Sequence, residues 1–172
     1  MTLDKTPDPH LRTLRDAYAR YATGVAVITA LTPAGAPVGL TVNSFSSVSL
    51  DPPLVLWSLM RSSSSLPMFR EARHFAVNVL ADDQHHLSTR FASRSEERFA
   101  GITWTPGLGG VPLLPDCLAR FECTTHRHVE AGDHVVVLGH VHRFEHRDGA
   151  PLLFFASRYA ELRRELTSAT AA

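Results

Sequence analysis

An excess of charge of either sign is missing from this sequence: lysine and arginine together number 17, aspartate and glutamate also number 17, and the net charge is zero with histidine neutral. So balanced a chain has no electrostatic reason to seek nucleic acid or an anionic membrane surface, and neither is an expected partner. The ten histidines add positive charge only as the pH falls. Cysteine is almost absent. Cys117 and Cys123 cannot make a disulfide framework for 172 residues, so two free thiols in a reducing compartment are expected. No apolar run approaches the ~20 residues of a membrane helix. The opening MTLDKTPDPHLRTLRDAY is charged and has no apolar centre, unlike a signal peptide. These features predict a cytoplasmic chain with no membrane partner.

Several chemical signatures are missing too. No glycine-rich phosphate loop or dinucleotide fingerprint opens a helix after a strand, so any nucleotide must be held another way. No Gly-x-Ser-x-Gly elbow marks a serine nucleophile. His126 and His128, and likewise His140 and His142, lie two apart on expected strands, with Cys123 near the first pair. Without a Cys-x-x-Cys element they do not make a zinc signature, and no metal is expected.

What remains is ordinary globular material. Hydrophobic residues make up 44% of the chain, enough for a core, and the length fits one domain. Residues 1–9 read as a flexible tail, 10–163 as the domain and 164–172 as a second tail. Leu11, Leu14, Tyr18 and Tyr21 recur at helical spacing and predict an amphipathic helix from His10 to Tyr21. VAVITAL and VGLTVNSFSSVSL predict the two strands of a hairpin around TPAGAP. Asp51-Pro52-Pro53 must break the second strand. LVLWSL, nearly all apolar, predicts a strand buried on both faces. HFAVNVL is a further strand, and Asp82 or Asp83 should cap a helix through about Phe91. Ser93 with Glu96 resembles a capping box. Two strands, Leu118–Val129 and His134–His146, flank the turn EAGD; PLLFFASRY is one more, and AELRREL begins a terminal helix. The fold class is mainly β, an antiparallel barrel with a few short flanking helices, because short turns favour antiparallel pairing and closure hides strand edges.

Within this pattern, Thr41–Leu50 is anomalous. Read as one strand, it puts Thr41, Asn43, Phe45, Ser47 and Ser49 on one face and Val42, Ser44, Ser46, Val48 and Leu50 on the other. Both faces mix apolar surface with neutral donors and acceptors, and no charge occurs before Asp51. Such a wall suits a flat heteroaromatic ligand; a serine-rich edge strand facing water is the alternative. RSSSSLPMF places Ser64 or Ser65 at a helix N-cap with Pro67 in the first turn, and Arg61 nearby makes this a candidate phosphate site.

These pieces in this order resemble the flavin reductase family with the FMN-binding split β-barrel fold. The segments that carry the resemblance are YATGVAVITA, GLTVNSFSSVSLDPPLVLWSL, SSSS, HFAVNVL, RFA, AGDHVVVLGHV and PLLFFASRY, which span about Tyr21 to Leu162. The resemblance implies an NAD(P)H:flavin oxidoreductase that passes hydride from NADH or NADPH to FMN or FAD. Family members are usually homodimers that supply reduced flavin to a flavin-dependent monooxygenase. It implies that Thr41, Asn43, Ser44, Phe45, Ser46 and Ser47 lie along the isoalloxazine ring, with Ser58 beside it. Ser62, Ser63, Ser64 and Ser65 would meet the phosphate. Phe91 and Arg98 would flank the cofactor, His134 would stand near the nicotinamide, and Arg158 and Tyr159 would form a C-terminal pair near the site. A flavin-binding or flavin-carrying protein without reductase activity is the competing class.

Overall fold

The computed structural model describes residues 9–95 and 97–162. In chain order its elements are α1 (Pro9–Tyr18), β1 (Thr23–Gly24), β2 (Ala26–Leu31), β3 (Pro37–Val42), β4 (Ser46–Leu50), β5 (Pro53–Met60), α2 (Leu66–Glu71), β6 (His74–Val79), α3 (His85–Ala92), β7 (Thr105–Pro106), β8 (Pro112–Leu113), β9 (Ala119–Ala131), β10 (His134–His146), β11 (Leu153–Phe155) and β12 (Arg158–Ala160). Seven strands form one sheet in the order β3-β2-β6-β9-β10-β5-β4, antiparallel throughout.

That order dictates a barrel. The edge strands β3 and β4 are consecutive in the chain, and only residues 43–45 join them. In a flat sheet the two edges would lie about 29 Å apart, six strand spacings. The four peptide steps from Val42 to Ser46 reach no more than about 15 Å. The sheet must therefore curl until its edges nearly meet. They meet without pairing, and a side chain spans the seam: the Ser44 hydroxyl donates to Ser58 O at 3.2 Å and accepts from Ser58 N at 2.9 Å. A serine thus does for β5 what a strand backbone would do, and the barrel stays split there.

Strand alternation divides the core in two. Ala26, Ile28 and Ala30 of β2 point into the barrel with Trp57, Phe69, Phe75, Val135 and Val137. Trp57 meets Phe69 and Phe75 edge-on, with ring centroids 5.1 and 5.9 Å apart. Val25 and Val27 face outward into a second cluster with Leu80, Leu87, Phe91, Leu114 and Leu152, beneath α3. Between these lies a buried polar pair. Asn78 donates to Val27 O and to the Thr29 hydroxyl and accepts from Leu114 N at 2.9 Å, which fastens the glycine- and proline-rich 104–115 segment over the barrel wall. Buried amides need such partners.

Several sequence expectations are corrected here. Thr41–Leu50 is two strands with a break at 43–45, so its predicted faces do not exist. β5 is not buried on both faces: Val55, Trp57 and Leu59 are buried, while Leu54, Leu56 and Ser58 are half-covered. α1 ends at Tyr18. Neither Asp82 nor Asp83 caps a helix; the Gln84 side chain closes that turn by accepting from Ala81 N at 3.0 Å. PLLFFASRY is a hairpin, because Ala156 (φ 48°) and Ser157 (φ 61°) form a left-handed turn between β11 and β12. The expected terminal helix beyond Leu162, the first eight residues of the tail and the partner of Ser93 at Glu96 lie outside the described residues.

Candidate active site

The seam of the barrel opens into a cavity of about 750 Å³, within the range of small-molecule and cofactor sites. Four stretches of chain build its wall. The end of β3 contributes Thr41, Asn43 and Ser44. The end of β5 and the loop after it contribute Ser58, Met60 and Ser62–Ser65. Phe91, Arg94 and Arg98 come from α3 and the loop that follows it, and His134 opens β10. Register explains why parts so distant in sequence meet: His134 pairs with Met60 across β10 and β5, and Arg61 N donates to Asp133 O at 2.8 Å, so histidine and serine loop share one barrel end.

Not every residue expected at the site lines this cavity. Phe45 turns into the barrel and packs on Phe121, centroids 5.5 Å apart, because the break after β3 reverses its side. Ser46 and Ser47 stand exposed on β4, beyond the cavity. Arg158 is exposed on β12. Tyr159 lines two other cavities, one of which shares Thr41–Asn43 with the main one.

The hydrogen bonds separate wall-builders from groups left for a ligand. The Thr41 hydroxyl donates to Ser88 O at 2.7 Å. Ser44 is committed to the seam. Arg98 Nε donates to Ser93 O at 2.9 Å and Nη1 to Gly39 O at 2.8 Å, so this guanidinium holds the loop in place. Ser63 accepts from Ser65 N at 3.2 Å. The Ser65 hydroxyl caps nothing, although Ser65 stands at the N-cap of α2. Among the described residues, the side chains of Asn43, Ser58, Ser62, Ser64, Ser65 and Arg94 make no hydrogen bond or ion pair, and no carboxylate lines the cavity. Sequence reasoning missed Arg94. Its only signal was a cation four residues before Arg98, in a loop where side-chain direction is not periodic.

His134 Nδ1 lies 2.7 Å from Asp133 Oδ1. The hydrogen bond from His134, together with its charge, holds the Asp133 carboxyl below the usual carboxylate range. With Nδ1 so engaged, Nε2 is the nitrogen left for a ligand.

Elsewhere, His140 Nδ1 and His142 Nε2 lie 3.3 Å apart, and the Thr124 hydroxyl bridges His142 and His74. Burial, Arg73 and His142 lower the His74 pKa. His142 and His146 have the spacing that pairs ligands on a helix, but on β10 it parts them by about 13 Å. Among the described residues no group of three or more His, Cys, Asp or Glu is arranged to hold a metal ion. Burial pushes both thiols, Cys117 and Cys123, up to about 12, so neither is a nucleophile at neutral pH.

Among the described residues, a mostly neutral polar wall with the uncommitted cation Arg94, and with no activated nucleophile and no acid pair, describes a site that binds and orients. The profile of the flavin reductase like domain matches residues 18–163. The chain belongs to this family. It is 47% identical over 169 residues to the FMN reductase (NADH) SmoA of Agrobacterium fabrum, covering 94% of this chain and 96% of that one. Among solved structures, nitrilotriacetate monooxygenase component B from Mycobacterium thermoresistibile superposes with a TM-score of 0.89 at 38% identity, covering 95% and 93% of the two chains. The NADH:FAD oxidoreductase SgcE6 of Streptomyces globisporus, in complex with NAD and FAD fragments, gives 0.86 at 34%, covering 93% and 98%. The split barrel is thus the family fold, and flavin and nicotinamide are the ligands to test against the cavity. No helix among the described residues is long and apolar enough to cross a membrane.

Proposed function

We propose that this flavin reductase uses NADH to reduce FMN, accepts FAD as an alternative, and delivers the reduced flavin to a monooxygenase. The observation that carries the reading is the cavity's unspent inventory: Asn43, Ser58, Ser62, Ser64 and Ser65 as neutral partners, Arg94 as a cation, and, among the described residues, no carboxylate to repel a phosphate. Bound flavin supplies the hydride acceptor, and the reduced nicotinamide is the donor. The chain needs no covalent chemistry of its own, which fits the inert thiols and the lack of an acid pair among the described cavity residues.

Asn43 offers a carbonyl and an amide to the ring edge at the seam. Ser62, Ser64 and Ser65 offer hydroxyls to the phosphate, and Arg94 offers its charge. The Phe91 ring is buried behind the loop and stacks edge-on with Phe99 at 5.0 Å, so it stiffens the wall. His134 presents Nε2 at the same barrel end and orients the nicotinamide. Held close and aligned, the two rings react without solvent reorganisation. Support for FMN and NADH comes from the likeness to the Agrobacterium fabrum protein, and support for a monooxygenase partner from the likeness to the Mycobacterium thermoresistibile component.

The reading includes a homodimer. No residue of α1 is buried, yet Leu11, Leu14 and Tyr18 share one of its faces and are 52%, 37% and 69% exposed. An apolar stripe of this kind on a short helix needs a covering surface. Steady-state NADH oxidation with FMN, FAD and riboflavin tests the activity. A protein that binds FMN and oxidises no NADH or NADPH is a flavin carrier instead.

A further inference from the structure

A second, smaller cavity of about 210 Å³ lies behind the main one, and the end of β3 is the partition: Thr41, Val42 and Asn43 line both. Its far side is built from Ser88 of α3 and from Phe154 and Tyr159 of the β11–β12 hairpin. Ser88 is completely buried. Two of its atoms are engaged at once. The hydroxyl lies 2.8 Å from the Tyr159 hydroxyl, and the backbone carbonyl accepts the Thr41 hydroxyl at 2.7 Å. One helical residue therefore ties together the flavin-facing end of β3 and a hairpin more than a hundred residues away in sequence.

The hairpin is held by few other bonds. It pairs with the two-residue β1, and Ala156 N donates to Ala19 O at 2.8 Å. Its turn puts Ala156 and Ser157 in left-handed conformations that residues other than glycine rarely adopt. Backbone outliers of this kind are maintained where surrounding contacts fix them, commonly beside functional sites. Here those contacts centre on Tyr159, whose ring stands edge-on to His85 at 4.1 Å and to Phe154 at 5.5 Å.

We propose that Ser88 is a positioning residue that latches Tyr159, and with it the β11–β12 hairpin, against the back of the flavin wall. The latch fixes the width of the small cavity and so the pose of Asn43 at the ring edge. This inference rests on the flavin reductase reading above. Tyr159 acts as a braced wall, since its hydroxyl is committed to Ser88.

Three variants test the latch: Ser88→Ala, Tyr159→Phe and the double substitution. Each single change removes one end of the hydrogen bond and leaves the ring, the helix and the Ser88 carbonyl in place. Flavin affinity is read by FMN titration without nicotinamide, and KM for FMN and kcat are read at saturating NADH. Each single variant should weaken FMN about three- to tenfold in both assays, the range one neutral hydrogen bond supports, with kcat within about twofold of wild type. The double variant should be no weaker than the weaker single, because both remove the same bond. Unchanged FMN affinity in both singles would overturn the latch even if thermal stability fell. So would losses that multiply in the double variant. Tyr159→Phe guards against misfolding, since it deletes only a hydroxyl from a partly exposed ring. Wild-type protein that binds FMN but oxidises no NADH would sink the reductase reading while leaving the titration arm intact.

Discussion

The two arginines of the cavity make a sharp test, because the structure gives them opposite jobs. Arg98 is committed to two backbone carbonyls, Ser93 O and Gly39 O, whereas Arg94 has no partner among the described residues. A charge-assisted hydrogen bond to phosphate contributes about 1.5–3 kcal/mol when shielded. Arg94 is exposed, and exposed pairs fall to about 1 kcal/mol or less through screening and side-chain entropy. The working figure for Arg94→Gln is therefore about 1 kcal/mol, roughly a fivefold loss of FMN affinity. Riboflavin, which has no phosphate, should bind Arg94→Gln as it binds wild type, and the FMN loss should shrink as salt is raised. Arg98→Gln should behave differently. It strands two partly buried carbonyls, so it should lower the thermal midpoint and weaken FMN and riboflavin alike. Fluorescence titration of both flavins at low and high ionic strength, beside thermal melts, reads all of these. Equal losses for FMN and riboflavin in Arg94→Gln, or no loss for either, would refute the assignment of the cation to the phosphate.

Three further expectations follow from the geometry. His134→Ala should leave flavin affinity nearly intact while raising KM for NADH or lowering kcat by about two- to tenfold, the worth of one hydrogen bond; a collapse of flavin binding with unchanged nicotinamide kinetics would move His134 to the flavin. Cys117 and Cys123, with thiols pushed up to about 12 by burial, should resist a thiol reagent at pH 8 in the folded protein and react fully once it is denatured; rapid labelling of either in the native state would contradict their burial. Leu14→Asp with Tyr18→Asp should turn a dimer into a monomer in sedimentation velocity. A monomeric wild type, or a variant that stays dimeric, would remove α1 from the interface.

The fold was legible where side-chain period and turn chemistry agreed. VAVITAL, HFAVNVL and the long pair around EAGD are β2, β6, β9 and β10, and β10 runs from His134 to His146 as read. Legibility failed at Thr41–Leu50, because nothing local distinguishes a strand that continues from one that leaves one edge of a sheet and joins the other. The distinguishing fact is long-range: Ser44 takes the seam bond to Ser58, and Phe45 swings into the core. The same limit hid Arg94. Two arginines four apart look alike in sequence, and only the acceptors Ser93 O and Gly39 O tell them apart. Asn78 and Ser88 were invisible for a related reason. A lone polar residue in an apolar strand or a short helix acquires its meaning from partners such as Leu114 N and Tyr159, far along the chain.

Anaerobic mixing of the purified protein with FMN and NADH is the most direct test of the central claim, that the cavity at the barrel seam brings nicotinamide and flavin together for hydride transfer. The flavin's visible absorbance should bleach mole for mole with NADH consumed, at a rate far above that of the two cofactors alone, and colour should return when air is admitted. FMN that binds at the seam yet stays oxidised in the presence of either NADH or NADPH would contradict the account and leave a flavin carrier in its place.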